Sequence, residues 1–184
     1  MIDTNFDFRT AMAARMLSKN FTAADLCCAG ETWQRTQIWN EPLQDASWSA
    51  LKFLCNEILE PVAARFGIPD ITYGFASAAL FRLIPLGTTK KLDQHASCEL
   101  GRSGTPLCPR LGAAVDFYVP SVSSRQVAIF ITDNLPFDRM YYYADNRPIH
   151  VSVGPQNNKA LVEMQTLTSG RLIPRVRKLS WLTE

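Results

Sequence analysis

Two histidines occur in the 184 residues, His95 and His150, and a carboxylate, Asp116, lies inside the otherwise apolar run GAAVDFYV. Imidazole nitrogen and carboxylate oxygen are the donor atoms that zinc takes in hydrolases, commonly three from the protein with the fourth position left to water. Water bound in that way loses a proton near neutral pH and attacks a polarised carbonyl. His95, Asp116 and His150 would supply such a set, but only if the fold gathers positions far apart in the chain. The alternative for each histidine is a satisfied core residue. Gln94, next to the first histidine, could bind a developing oxyanion or orient a substrate.

The elements that must do the gathering are legible in outline. Residues 1–66 read as helical: NFTAADL carries Thr22 with Asp25 three places on, an approximate capping box. In SWSALKFLCNEILEPVAARFG the residues Trp48, Leu51, Cys55, Ile58, Leu59, Val62 and Phe66 recur at helical spacing as one apolar stripe. Ser47 is the expected N-cap, Gly67 the expected stop, and Pro61 should kink or restart the helix. From Pro69 the texture changes. ITYGF is rich in β-formers, SAALFRLI returns to helical spacing, and GTTKKLDQH and ELGRSGTPLCPRL read as loops. GAAVDFYV reads as a buried strand, SSRQVAIFITDN as a helix with serines at its start, and RMYYY and PIHVSV as a hairpin joined by ADNR. Helices first and then strands predict an α+β domain with an antiparallel sheet.

Composition sets the outer limits. The chain is one domain long, 47% hydrophobic and 20% charged, with a net charge of +2, too small to argue for nucleic acid or a membrane surface. No run reaches the roughly 20 apolar residues of a membrane span, and no export signal is evident, so a cytoplasmic location is the expectation. The basic run RLIPRVRKLSW reads as a solvated end. Cys27, Cys28, Cys55, Cys98 and Cys108 make an odd count without a CxxC pair and read as free thiols. A disulfide or a second metal at Cys98 and Cys108 is the alternative.

Several segments resemble the zinc D-alanyl-D-alanine carboxypeptidase family, which includes phage and bacterial endolysin-like members and the metal-binding signalling domain of hedgehog proteins. The pieces are DQH (93–95), GAAVD (112–116) and IHVSV (149–153), with FDRMYYYADNRPIHVSV around the last and ITYGFAS upstream. FTAADLCCAGETWQR and ILEPVAARFG are similar to the N-terminal half of the phage-type members, so the resemblance spans residues 20–155 in consistent order. It implies a single domain with a helical part (1–66), a metal-site core (67–155) and a C-terminal extension (156–184). It also implies Zn²⁺ on His95, Asp116 and His150, and hydrolysis of a peptide or peptidoglycan-derived substrate.

Three departures qualify what the resemblance implies. Asp116 follows His95 by twenty-one positions, well beyond the family's spacing, and the excess, 97–110, has the composition of a looped insertion that would roof the site. The family's acid ahead of the last histidine corresponds to Asp145, the expected general base; turn chemistry is its other reading, and Asp138 reads as a structural carboxylate. Ala76 occupies the place of an arginine that grips the substrate's terminal carboxylate, leaving Arg82 and Arg147, with Arg110, as the candidate replacements. These departures leave open a zinc-binding domain without efficient hydrolysis that recognises a partner or ligand. They also leave open a cytosolic enzyme acting on a non-wall amide, and an α+β protein without a metal.

Overall fold

Apolar periodicity in the first third of the chain becomes a layer of helices. In the computed structural model, which describes residues 4–84 and 92–184, these are α1 (Thr4–Ala13), α2 (Ala23–Cys27), α3 (Glu31–Thr36), α4 (Asp45–Leu54) and α5 (Glu60–Phe66). Further on come α6 (Ala78–Leu83) and α7 (Ser124–Asn134). Most of the expected loop GTTKKLDQH lies outside the described residues. Between α4 and α5 the helix widens into a π turn, Cys55–Leu59, in which the Glu60 N–H reaches back to the Cys55 carbonyl. Pro61 is the physical cause, because it brings no N–H to the ladder and its ring crowds the preceding turn. The expected restart at Pro61 is therefore present, and Gly67 ends α5 at φ 103.

Ser47 is not the N-cap of α4. The helix begins at Asp45 after Gln44, and Ser47 lies within its first turn. Its hydroxyl donates instead to Glu99 Oε1 at 2.8 Å, an oxygen that also accepts from Leu43 N at 3.0 Å and Gln44 N at 3.2 Å. A buried carboxylate from the 97–110 segment thus supplies both the acceptor and the negative charge that a helix start favours.

The strands are β1 (Asp70–Tyr73), β2 (Ala113–Tyr118), β3 (Arg139–Tyr142), β4 (Ile149–Val153), β5 (Ala160–Thr166) and β6 (Leu172–Arg177). They form one six-stranded sheet in the order β1-β2-β4-β3-β5-β6. The class is α+β, but the sheet is mixed rather than antiparallel, because β5 pairs in parallel with β3. Residues 154–159 carry the chain from the end of β4 to the far edge of β3, where Lys159 N and Ala160 N donate to the Phe137 and Asp138 carbonyls. A strand started there has to run alongside β3 in the same direction. The region expected to be a C-terminal extension with a solvated end therefore supplies two strands. The run RLIPRVRKLSW forms the exposed edge strand β6 and a short 3₁₀ turn, Leu179–Thr183, with Leu182 buried.

Alternation along the strands sorts their residues onto two faces. Ala113, Val115 and Phe117 of β2, Ile149, Val151 and Val153 of β4, and Met140 and Tyr142 of β3 are buried in the core with Leu51, Leu54 and Ile58 from the helices. The other face carries Asp116, His150 and Tyr141. The 97–110 segment re-enters the sheet at Gly112, whose φ is +84 and whose missing Cβ would lie 1.8 Å from the Val153 carbonyl oxygen, so only glycine fits. All five cysteines are free, so Cys98 and Cys108 are not bridged. Among the described residues no helix is long and apolar enough to cross a membrane.

Candidate metal centre

Register brings the first two functional groups together. Asp116 of β2 pairs directly with His150 of β4, and His150 pairs in turn with Tyr141 of β3. Side chains directly opposite on one face lie close enough to touch. The third group, His95, comes from a single 3₁₀ turn, Gln94–Ala96, whose start is capped by Asp93: its Oδ1 accepts from the His95 N–H at 3.0 Å. The His95 carbonyl accepts from Ala76 N at 2.9 Å, which ties this turn to the chain leaving β1.

His95 is held at its ring as well. Nδ1 lies 2.7 Å from the Gly74 carbonyl oxygen, which can only accept, so Nδ1 carries the hydrogen and Nε2 has a lone pair whenever the ring is neutral. Gly74 has to be glycine, since a Cβ there would lie 2.3 Å from the Leu26 carbonyl oxygen. This backbone-fixed tautomer is the arrangement that orients metal-ligating histidines.

Three potential ligand atoms then converge. His95 Nε2 is 3.2 Å from Asp116 Oδ1 and 3.2 Å from His150 Nδ1, and His150 Nδ1 is 2.8 Å from Asp116 Oδ1. A tetrahedral ion with ligand bonds of about 2.1 Å would need edges of about 3.4 Å, so a small outward movement of the three side chains suffices. Two nitrogens and a carboxylate oxygen facing one another need a proton or a cation between them. The group could hold a metal ion.

The electrostatics agree with a site that attracts positive charge. Burial alone would raise the Asp116 pKa, but the His95 charge and the His150 hydrogen bond overcome it and hold the carboxyl well below its ordinary range. Burial likewise opposes protonation of His95, and the carboxylates of Asp116 and Asp93 outweigh it, so its net direction is upward.

A cleft of about 150 Å³ opens over the three residues, and Asp93, Tyr73, Tyr141 and Tyr143 line it with them. The Tyr73 ring packs 4.1 Å from the His95 ring, and the Tyr141 ring meets His150 edge-on at 5.0 Å. Burial is the first cause of a Tyr143 pKa pushed up to about 12, with the nearby Asp116 charge adding to it.

The other sequence candidates take different places. Asp145 is not brought to the cluster: its carboxylate accepts from the Tyr142 hydroxyl and lies 3.7 Å from Arg125 Nε, with 61% of its side chain exposed. Tyr142 points to the face opposite Tyr141, so the hairpin folds Asp145 away from His150. Gln94 is buried and spends both ends of its amide internally, donating to the Leu111 carbonyl at 2.9 Å and accepting from Ser152 Oγ at 2.8 Å. It fastens the 97–110 segment to β4 and has no end left for an oxyanion.

Arg82 lines a separate groove between α6 and the 97–110 segment, together with Arg102. Arg147 is exposed in the β3–β4 loop, where its charge reaches Tyr143. Arg110 donates to the Leu92 carbonyl at 3.0 Å, beside the cleft. Ala76 is fully buried, and Asp138 accepts from Asn158 N and Nδ2 as a structural carboxylate would.

Sequence reasoning missed Asp93 and the tyrosines as parts of the site. RMYYY held a signal, since alternate residues of a strand share a face and place Tyr141 and Tyr143 together. The long loop hid Asp93, whose role depends on a turn that only the fold defines. Compared with known proteins, the chain matches no family model, no curated protein and no solved structure.

Proposed function

We propose that this chain is a zinc-dependent amide hydrolase of the D-Ala-D-Ala carboxypeptidase-like and hedgehog-like type, acting on a peptide or peptidoglycan-derived substrate. The observation that carries the reading is the triangle of His95 Nε2, Asp116 Oδ1 and His150 Nδ1, with edges of 2.8–3.2 Å and the His95 tautomer fixed by Gly74. Zinc held there would polarise a carbonyl and lower the pKa of bound water toward neutrality. The protein's own contribution is to present three donor atoms that need only a small outward movement, and to place a carboxylate, Asp93, in the same cleft. Asp93 takes the role of proton acceptor that Asp145 cannot reach. The tyrosines give the cleft apolar walls with polar tips, suited to the backbone and side chain of a short peptide.

A second reading is a metal-binding recognition domain without hydrolysis. The outward Asp145 and the buried Ala76, which removes the expected carboxylate clamp, favour it. Metal analysis of the purified protein beside digestion of peptidoglycan and of D-alanyl-D-alanine peptides separates the two. Stoichiometric zinc with cleavage supports the hydrolase, and zinc without cleavage of either substrate supports recognition. Protein without affinity for zinc sinks both.

A further inference from the structure

Tyr73 is placed with unusual constraint for a residue at the end of a strand. It ends β1 after an irregularity in the β1–β2 pairing, opposite Asp116 in register. One side of its ring packs against His95, with centroids 4.1 Å apart. On another side is Gly30, where an added Cβ would come within 3.0 Å of the ring. The hydroxyl is the anomaly: it is shut off from solvent and has no hydrogen-bond partner among the described residues.

A buried hydroxyl without a partner destabilises the folded state, and phenylalanine would fill the same space without that penalty. The ring lines the cleft over His95, Asp116 and His150. A phenol keeps its proton at neutral pH and is able to donate. It cannot donate usefully to the ring of His95, whose Nδ1 already serves Gly74. No described residue supplies an acceptor for it.

We propose that Tyr73 is the hydrogen-bond donor to a ligand oxygen bound at the His95–Asp116–His150 centre, the carbonyl or developing oxyanion of the substrate. The inference rests on the metal reading of that centre. Donors already aimed at the position of developing charge stabilise it without reorganisation. The unpaired hydroxyl of the free protein is the cost of that readiness, and the two properties are linked through one atom.

The test compares parent and Tyr73→Phe, each loaded with zinc and titrated calorimetrically with acetohydroxamate, whose oxygens stand in for the substrate carbonyl and the attacking water. Both proteins should hold one zinc, and the variant should bind the probe about tenfold more weakly. Metal-free Tyr73→Phe should melt about 2–4 °C above the metal-free parent, because its buried orphan is gone. Tyr118→Phe, an exposed tyrosine at the end of β2 that does not line the cleft, should leave the probe affinity within about twofold of the parent. Equal affinity for the probe in parent and Tyr73→Phe overturns the assignment while leaving the metal centre intact. A less stable or unfolded Tyr73→Phe overturns it too, since the hydroxyl would then have a partner within the protein. Loss of zinc from Tyr73→Phe alone would make the phenol a metal ligand and not a donor. Failure of the parent itself to take up zinc overturns the metal reading and this inference together.

Discussion

Asp116 and His150 face each other directly across β2 and β4, and their Oδ1 and Nδ1 atoms are 2.8 Å apart. Two adjacent strands therefore fix two of the three candidate ligands by register alone, and a one-residue slip of either strand would turn its member to the core face and part the pair. Because the pair is set by the sheet, replacing one member should remove its donor atom without moving the other. Asp116→Asn keeps the shape and loses the charge. It should weaken zinc affinity by more than the roughly 10–100-fold typical of disturbing a ligand's supporting hydrogen bond. His150→Ala should abolish stoichiometric zinc and the melting-temperature gain that zinc gives the parent. A His150→Ala protein with full zinc occupancy would remove His150 from the ligand set.

Glu99 is the test of how the 97–110 segment is attached. Its Oε1 gathers two backbone N–H groups and the Ser47 hydroxyl ahead of and within α4, in a buried setting. Glu99→Ala would leave those donors unpaired and remove the charge at the helix start. The expected loss is about 3 kcal/mol, a fall in melting temperature of roughly 6–12 °C. Thermal unfolding followed by circular dichroism measures it. A change below about 1 kcal/mol would mean that water replaces the carboxylate at this point.

The three candidate ligands were readable as a group because scarcity and context marked them: only two histidines, and a carboxylate in an apolar strand. The helical stripe from Trp48 to Phe66 and the turn at Pro61 were readable for the same reason, since local spacing determines them. What local spacing could not reach was long-range in cause. The Ser47 cap failed as an expectation because Glu99, some fifty positions away, competes for the same helix start. The parallel pairing of β5 with β3 depends on which edge the 154–159 loop reaches, and nothing within LVEMQT encodes that choice. Asp145 followed a resemblance in register, and the hairpin turned it toward Tyr142 and Arg125 instead.

Glu60 offers a pH dependence with a defined sign. Its Oε1 accepts from Ser18 Oγ and Asn20 N at 2.7 Å each, and Oε2 accepts from Asn20 Nδ2 at 2.6 Å, joining α5 to the loop after α1. Burial opposes ionisation, but the hydrogen bonds from Ser18 and Asn20 together with the Lys19 charge outweigh it and lower its pKa below the ordinary 4.5. A lowered folded-state pKa means the unfolded chain binds the proton more readily, so the stabilisation is present above about pH 4.5 and is lost as pH falls through the folded value. The site is solvent-exposed, which limits the effect to on the order of 1 kcal/mol. Glu60→Gln should be less stable than the parent at pH 7 and close to it at pH 3. Chemical denaturation at the two pH values reads the difference, and a gap that is the same at both would show that ionisation of Glu60 contributes nothing.

Asp93 and Asp145 divide the question of the proton acceptor between them. Asp145 lies on the opposite face from His150, bonded to Tyr142 and mostly exposed. Asp145→Asn should therefore leave zinc content and turnover within about twofold of the parent. Its stability should drop by less than about 1 kcal/mol, the usual worth of an exposed ion pair. Asp93 lines the cleft with the candidate ligands, and its Oδ1 caps the turn that carries His95. Asparagine preserves an oxygen acceptor for the His95 N–H, so Asp93→Asn keeps the cap while losing basicity. If Asp93 takes the proton, the variant should retain zinc and lose about 10²–10⁴ in turnover, with a smaller change in KM. Glutamate at the same position, with a longer reach, should recover part of that rate, which a purely structural role for Asp93 would not predict. Full turnover in Asp93→Asn together with a large loss in Asp145→Asn would reverse the assignment and require the β3–β4 hairpin to refold over the metal when substrate binds.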